Sequence, residues 1–245
     1  MKLEICVDSM ESLLAAKAGG ADRIELCSAL EVGGLTPTYG LMKRAAIIEN
    51  IEKFVMIRPR GGDLCFSPEE VLIMKEDISL AKDLGFDGVV IGLQRADGSL
   101  DREKMGDLVE LARPLKVSLH RVYDVAKDPE KEVEALIDMG IIRILSSGKE
   151  ENALDGAIHL AELQKRFGDR IEIMPGCGIT SENLEEICKI TGCRDFHMSA
   201  KKIVTSRVQY KGRVRFPGDE GGFFTDEEEV RKSVQILKKL EEEKC

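Results

Sequence analysis

Strand-like and helix-like segments alternate eight times along this chain, and that alternation restricts the fold more than any other feature. Short apolar runs rich in β-branched residues read as buried strands near 3–6, 23–27, 54–58, 88–93, 116–121, 142–146, 170–174 and 195–199. Helical patterns fill the intervals at about 9–19, 38–50, 68–84, 101–112, 129–139, 152–167 and 181–191, and a last one spans about 225–243. Ser9, Ser67-Pro68, Asp128-Pro129, Ser181 and Thr225-Asp226-Glu227-Glu228 supply start signals, and Gly20, Gly85 and Gly140 are natural terminators. A helix between successive strands returns the chain to the same end of the sheet, so the strands must run parallel. Eight such units close on themselves. The expectation is an α/β fold: a single-domain TIM (β/α)8 barrel over residues 1–245.

One segment departs from the alternation. Residues 201–222 are basic (Lys201, Lys202, Arg207, Lys211, Arg213, Arg215) and have no clear period. A connection of that length is expected to be a long loop serving as a lid, a binding loop or a homodimer interface.

Charge and cysteine usage narrow the function classes. A formal net charge of −9 argues against a nucleic-acid partner, which needs a basic footprint. No apolar run approaches the roughly 18 residues that read as a membrane span, so no membrane partner is expected. The first residues read as a strand with Glu4 in it rather than as a signal peptide. Seven cysteines, odd in number and widely spaced, do not form a disulfide framework, and no Cys-x-x-Cys pair marks a closed zinc site. A cytoplasmic protein is expected.

Alternation along each strand places Glu4, Cys6, Glu25, Cys27, Arg58, Ser118, His120, Glu172, His197 and Ser199 on the parity facing the barrel axis. Barrel interiors usually hold branched apolar side chains, and buried charge is costly unless paired. The polar set is therefore either a structural ion network or a functional site. In this fold sites sit at the C-terminal ends of strands, which brings Cys6, Cys27, Arg58, His120, Ser147 and Ser199 to one mouth. There Arg58 and Arg60, in Ile57-Arg58-Pro59-Arg60-Gly61-Gly62-Asp63, offer forked donors to an anion, and Ser147, Gly176, Gly178 and Ser199 add small residues that expose backbone N–H groups. His120 and Glu25 are candidate catalytic acid and base, with Asp124 placed to orient the imidazole. Cys6 and Cys27 end adjacent strands with the same parity. They read either as small buried hydrophobes or as paired thiolates for a soft metal.

Several motifs, in order, resemble the CutC family of copper homeostasis proteins. They are Glu4-Ile5-Cys6-Val7-Asp8-Ser9, Gly20-Ala21-Asp22-Arg23-Ile24-Glu25-Leu26-Cys27 and Gly33-Gly34-Leu35-Thr36-Pro37, then the Arg58 motif, His120-Arg121, Ser146-Ser147-Gly148 and Pro175-Gly176-Cys177-Gly178-Ile179. The resemblance covers about residues 1–200. It implies a cytosolic barrel that handles copper, with Cys6 and Cys27 at the positions of the proposed Cu(I)-binding cysteines. The chain departs from the family pattern at Val122-Tyr123 and at Cys177, which adds a third thiol near the mouth. Two functions follow as expectations: a Cu(I)-binding copper homeostasis protein, or a barrel enzyme acting on a small anionic substrate, phosphorylated ones included, held by the arginines.

Overall fold

The computed structural model describes residues 1–210, 212–214 and 218–243. Its strands are β1 (Lys2–Val7), β2 (Arg23–Leu26), β3 (Glu52–Met56), β4 (Gly88–Ile91), β5 (Lys116–Leu119), β6 (Ile141–Ser146), β7 (Glu172–Pro175) and β8 (Asp195–Met198), followed by β9 (Lys201–Thr205) and β10 (Gly221–Thr225). The helices are α1 (Met10–Gly19), α2 (Tyr39–Ala46), α3 (Pro68–Asp83), α4 (Arg102–Ala112), α5 (Val122–Val125), α6 (Val133–Met139), α7 (Ala157–Phe167), α8 (Leu184–Thr191) and α9 (Glu227–Glu242). The first eight strands form one parallel sheet in the order β7-β6-β5-β4-β3-β2-β1-β8. β7 and β8 lie side by side without a ladder, so the sheet closes into a TIM barrel with one seam. No helix among the described residues is long and apolar enough to cross a membrane.

Local chemistry sets the helix ends. Ser9 accepts from the Ser12 backbone N–H to cap α1, and Ser67 with Glu70 forms a reciprocal capping box on α3. Ser181 caps nothing: its N–H and hydroxyl both donate to Glu229 on α9. Asp128 likewise makes no side-chain cap at the 3-10 turn Pro129–Lys131. The expected loop over 201–222 is instead framed by an antiparallel ribbon of β9 and β10. The β-branched Ile203-Val204-Thr205 and aromatic Phe223-Phe224 favour that pairing over coil. Lys211 and Arg215 of this basic segment, and Cys245, lie outside the described residues.

Outward-facing Leu3, Ile5, Ile24 and Leu26 are fully buried against the helices. Inside, following the ladders along the tilt of the strands sorts the inward residues into layers of alternate strands. Arg23, Gly88, Arg143 and Asp195 lie at the N-terminal end, with Glu4, Phe54, Ser118 and Met174 above them. Next come Glu25, Val90, Leu145 and His197, and then Cys6, Met56, His120 and Gly176 at the mouth. Gly88 makes room for Phe54, whose ring a Cβ there would meet at 2.3 Å.

The lowest layers are ionic. Arg23 donates to Glu4 at 2.5 Å, to Asp195 at 2.9 Å and to Glu52 at 3.2 Å, and its guanidinium stands over the Phe54 ring at 5.6 Å. Arg143 donates to Glu172 at 2.7 Å and to Ser118 at 3.0 Å and covers the same ring at 5.1 Å. Glu172 corrects the inward assignment made from strand parity. It begins β7, where the barrel opens to solvent, so its side chain is nearly half exposed while Arg143 occupies the interior. Replacing Arg23 leaves Glu4 and Asp195 buried without their shared cation, a loss of about 3–5 kcal/mol for such a pair. Arg23→Met is therefore expected to lower the unfolding free energy by about that much, read from urea denaturation.

Candidate functional site

Most of the functional side chains stand near the C-terminal end of a strand or just beyond it. Glu4 links the ionic base to this region. Burial opposes its ionisation, but Arg23 and His197 hold the carboxyl down to about 2. His197 on β8 has its Nδ1 2.7 Å from Glu4 Oε1 and its Nε2 3.9 Å from Glu25 Oε2. Burial works against a charged ring there, yet Cys6, Glu4 and Glu25 together raise His197 well above its ordinary pKa. The ring is thus an imidazolium wedged between two carboxyls.

Glu25 behaves oppositely to Glu4. Burial lifts its pKa to about 7, with the charge of Glu4 adding to the rise and His197 restraining it. Its Oε2 accepts a long contact from the Cys27 thiol at 3.6 Å, and its Oε1 is buried without a partner. Cys27 follows two residues on, toward the mouth, and burial and the neighbouring Glu25 and Cys6 push its thiol well above the usual range.

His120 follows β5. Its Nδ1 accepts the Val122 backbone N–H at 3.0 Å, which places the ring proton on Nε2, and Nε2 is buried without a partner. Burial and the charge of Arg58 lower its pKa to about 3, so the ring is a neutral N–H donor at physiological pH. Asp124 does not orient it. That carboxylate instead accepts from Ser146, Arg121 and the Ser147 backbone and side chain. Arg58 follows β3. Its terminal nitrogens donate to the carbonyls of Val32, Gly34 and Gly62, leaving Nε buried and unpartnered. No carboxylate among the described residues pairs with Arg58.

Cys6, Glu25, Arg58, His120, Gly178 and Ser199 line one open cleft of about 1640 Å³. The other residues singled out from sequence lie elsewhere. Cys27 is fully buried and does not line the cleft. Arg60 turns away, donating to Glu70, Asp63 and the Cys65 carbonyl and stacking on Phe66 at 5.1 Å. Ser147 is fully buried, with its one hydroxyl proton between Asp124 and the Glu150 carbonyl and its oxygen accepting from Arg121, so its hydroxyl is spent on the loop. Gly176 packs against Leu145 and His197, where its missing Cβ makes room. Sequence parity brought Glu4 and His197 into the barrel but did not assign them a role beside Glu25.

The fold and mouth define a (β/α)8 barrel protein whose floor combines an imidazolium, a carboxyl poised near neutrality and two sulfurs. Comparison with known proteins places it further. The sequence profile of the CutC family matches residues 1–202. A CutC family protein of Parabacteroides distasonis is 46% identical over 210 residues, covering 85% of this chain and 86% of the relative. The human copper homeostasis protein cutC homolog is 44% identical over 209 residues, covering 85% and 77%. A crystal structure from Streptococcus agalactiae assigned as a copper homeostasis protein CutC superposes with a TM-score of 0.77 at 34% identity, covering 81% of this chain and 99% of that one. This chain belongs to the CutC family.

The raised pKa of Glu25 has a definite sign. Between the ordinary carboxyl value of 4.5 and about 7 the folded state holds more protons at Glu25 than the unfolded chain, so this residue withdraws stability as pH rises through that window. Glu25→Gln removes the titration. Its melting temperature relative to wild type is expected to rise between about pH 5 and about pH 8, measured by calorimetry.

Proposed function

We propose that this protein serves copper homeostasis by binding Cu(I), as cargo, through Cys6 and Cys27. The observation that carries the reading is the placement of the two thiols at the ends of paired strands. Cys6 stands opposite Glu25 in the ladder, Cys27 donates its backbone N–H to the Val7 carbonyl at 2.8 Å, and Cys6 is among the groups that raise the Cys27 thiol. Thiolates are soft donors that select Cu(I) over harder cations. The thioether side chain of Met56 lies beside Cys27 at Gly34, adding a further soft group. Among the described residues no set of three or more His, Cys, Asp or Glu side chains is arranged to hold a metal, which disfavours a closed zinc centre and suits a sulfur pair. Membership of a family whose relatives bear the copper homeostasis name supports the same reading.

The six described cysteines stand as thiols, in keeping with a reducing cytosol, where we place the protein. Binding must displace the Cys27 proton, which burial holds tightly, so metal affinity is coupled to pH.

Anaerobic Cu(I) titration against a competing chelator tests this. One equivalent is expected to bind with an affinity that climbs about tenfold per pH unit for each proton released, and the Cys6→Ser/Cys27→Ser double variant is expected to lose it. Binding that persists in the double variant would sink the reading.

A further inference from the structure

Three side chains at the mouth leave buried polar atoms unsatisfied, and they are complementary to a single small molecule. Arg58 Nε–H and His120 Nε2–H are donors without acceptors, and Glu25 Oε1 is an acceptor without a donor. Arg58 is 8% exposed, His120 6% and Glu25 3%, and all three line the same cleft. An unmade hydrogen bond at a buried polar group costs about 1–3 kcal/mol. Native folds retain such groups where something outside the chain completes them.

The layering brings the three together. Glu25 lies on the layer just below His120, and Arg58 extends two residues above Met56, which shares the layer of His120. The charge of Arg58 is felt at the His120 ring.

We propose that the mouth is a binding site for a small hydroxycarboxylate, its carboxylate accepting from Arg58 Nε and His120 Nε2 and its hydroxyl donating to Glu25 Oε1. The two buried donor atoms without any acceptor set the class. Three of the five Arg58 N–H groups donate to backbone carbonyls, and the unpartnered Nε–H together with the imidazole Nε2–H matches the two oxygens of a carboxylate. Arg58 shares the cleft lining with Arg121, Lys201 and His197, and Asp8, Glu31, Asp63, Glu182, Asp226 and Glu229 outnumber these cations. That excess of acids accepts a monoanion and disfavours a phosphate dianion. The unpartnered carboxyl oxygen then calls for a hydroxyl on the ligand, because a plain carboxylate leaves it unmet.

The test is run on chelator-treated, metal-free full-length protein so that the fate of the sulfur pair does not enter. Glycolate, lactate, acetate and inorganic phosphate are titrated by isothermal calorimetry, with chemical-shift changes as a second readout. Glycolate or lactate is expected to bind about tenfold or more tightly than acetate, the worth of one hydrogen bond to a charged group. His120→Phe removes one donor and is expected to weaken hydroxycarboxylate binding about tenfold or more, with far-UV circular dichroism and melting temperature confirming the fold. Arg58→Lys removes the Nε–H and also loosens the surrounding carbonyls, so His120→Phe and the ligand series carry the decision. The proposal is overturned if none of the four binds, if acetate equals glycolate, if phosphate binds more tightly than the hydroxycarboxylates, or if well-folded His120→Phe binds them as wild type does.

Discussion

A guanidinium sealed at the N-terminal end of the barrel ties four strands together. Arg23 on β2 reaches Glu4 on β1, Glu52 on β3 and Asp195 on β8, and its flat face rests on Phe54. A barrel plugged by apolar residues gains stability from burial alone. This one relies on geometry, because every buried charge must find its partner at the correct level of the barrel. The ladders that bring Glu4 level with Arg23 and with His197 are therefore a condition of stability as well as a result of folding.

The same condition shapes the mouth. Charge alternates along the axis from Arg23 to Glu4 to His197, and only then reaches Glu25. Glu4 is fully compensated and sits at about 2, whereas Glu25 shares an imidazolium already committed to Glu4 and rises to about 7. Two glutamates on adjacent strands thus differ widely because they stand at different heights above one arginine. The supporting network keeps the upper carboxyl close to neutrality, where small changes in its surroundings alter its charge.

Much of the fold could be read from the chain. Period-two strands alternating with capped helices identify a parallel barrel, and parity alone places Glu4, Cys6, Glu25, His120 and His197 toward the axis. The misreadings have local causes. Glu172 has inward parity but begins its strand, where inward means solvent at the barrel's foot. Arg60 has the same residue type and loop as Arg58, yet the capping-box glutamate in the first turn of the next helix, α3, captures it. Arg143 and Asp195 sit at strand starts, and nothing in a one-dimensional pattern shows that Ser118 and Phe54 leave room for them. The unsatisfied atoms of Arg58, His120 and Glu25 depend on where backbone carbonyls fall, and that is visible only in three dimensions.

The seam between β7 and β8 bears on the order in which the molecule can be made. β8 is zipped to β1, the first of the barrel's strands to be translated, and not to its predecessor. Until β8 arrives the growing sheet is an open fan. Glu4 then lacks His197, and Arg23 lacks Asp195. The imidazolium that sets the charge of the mouth is among the last pieces of the barrel to be translated, so a nascent chain cannot display the finished site before its cylinder has shut.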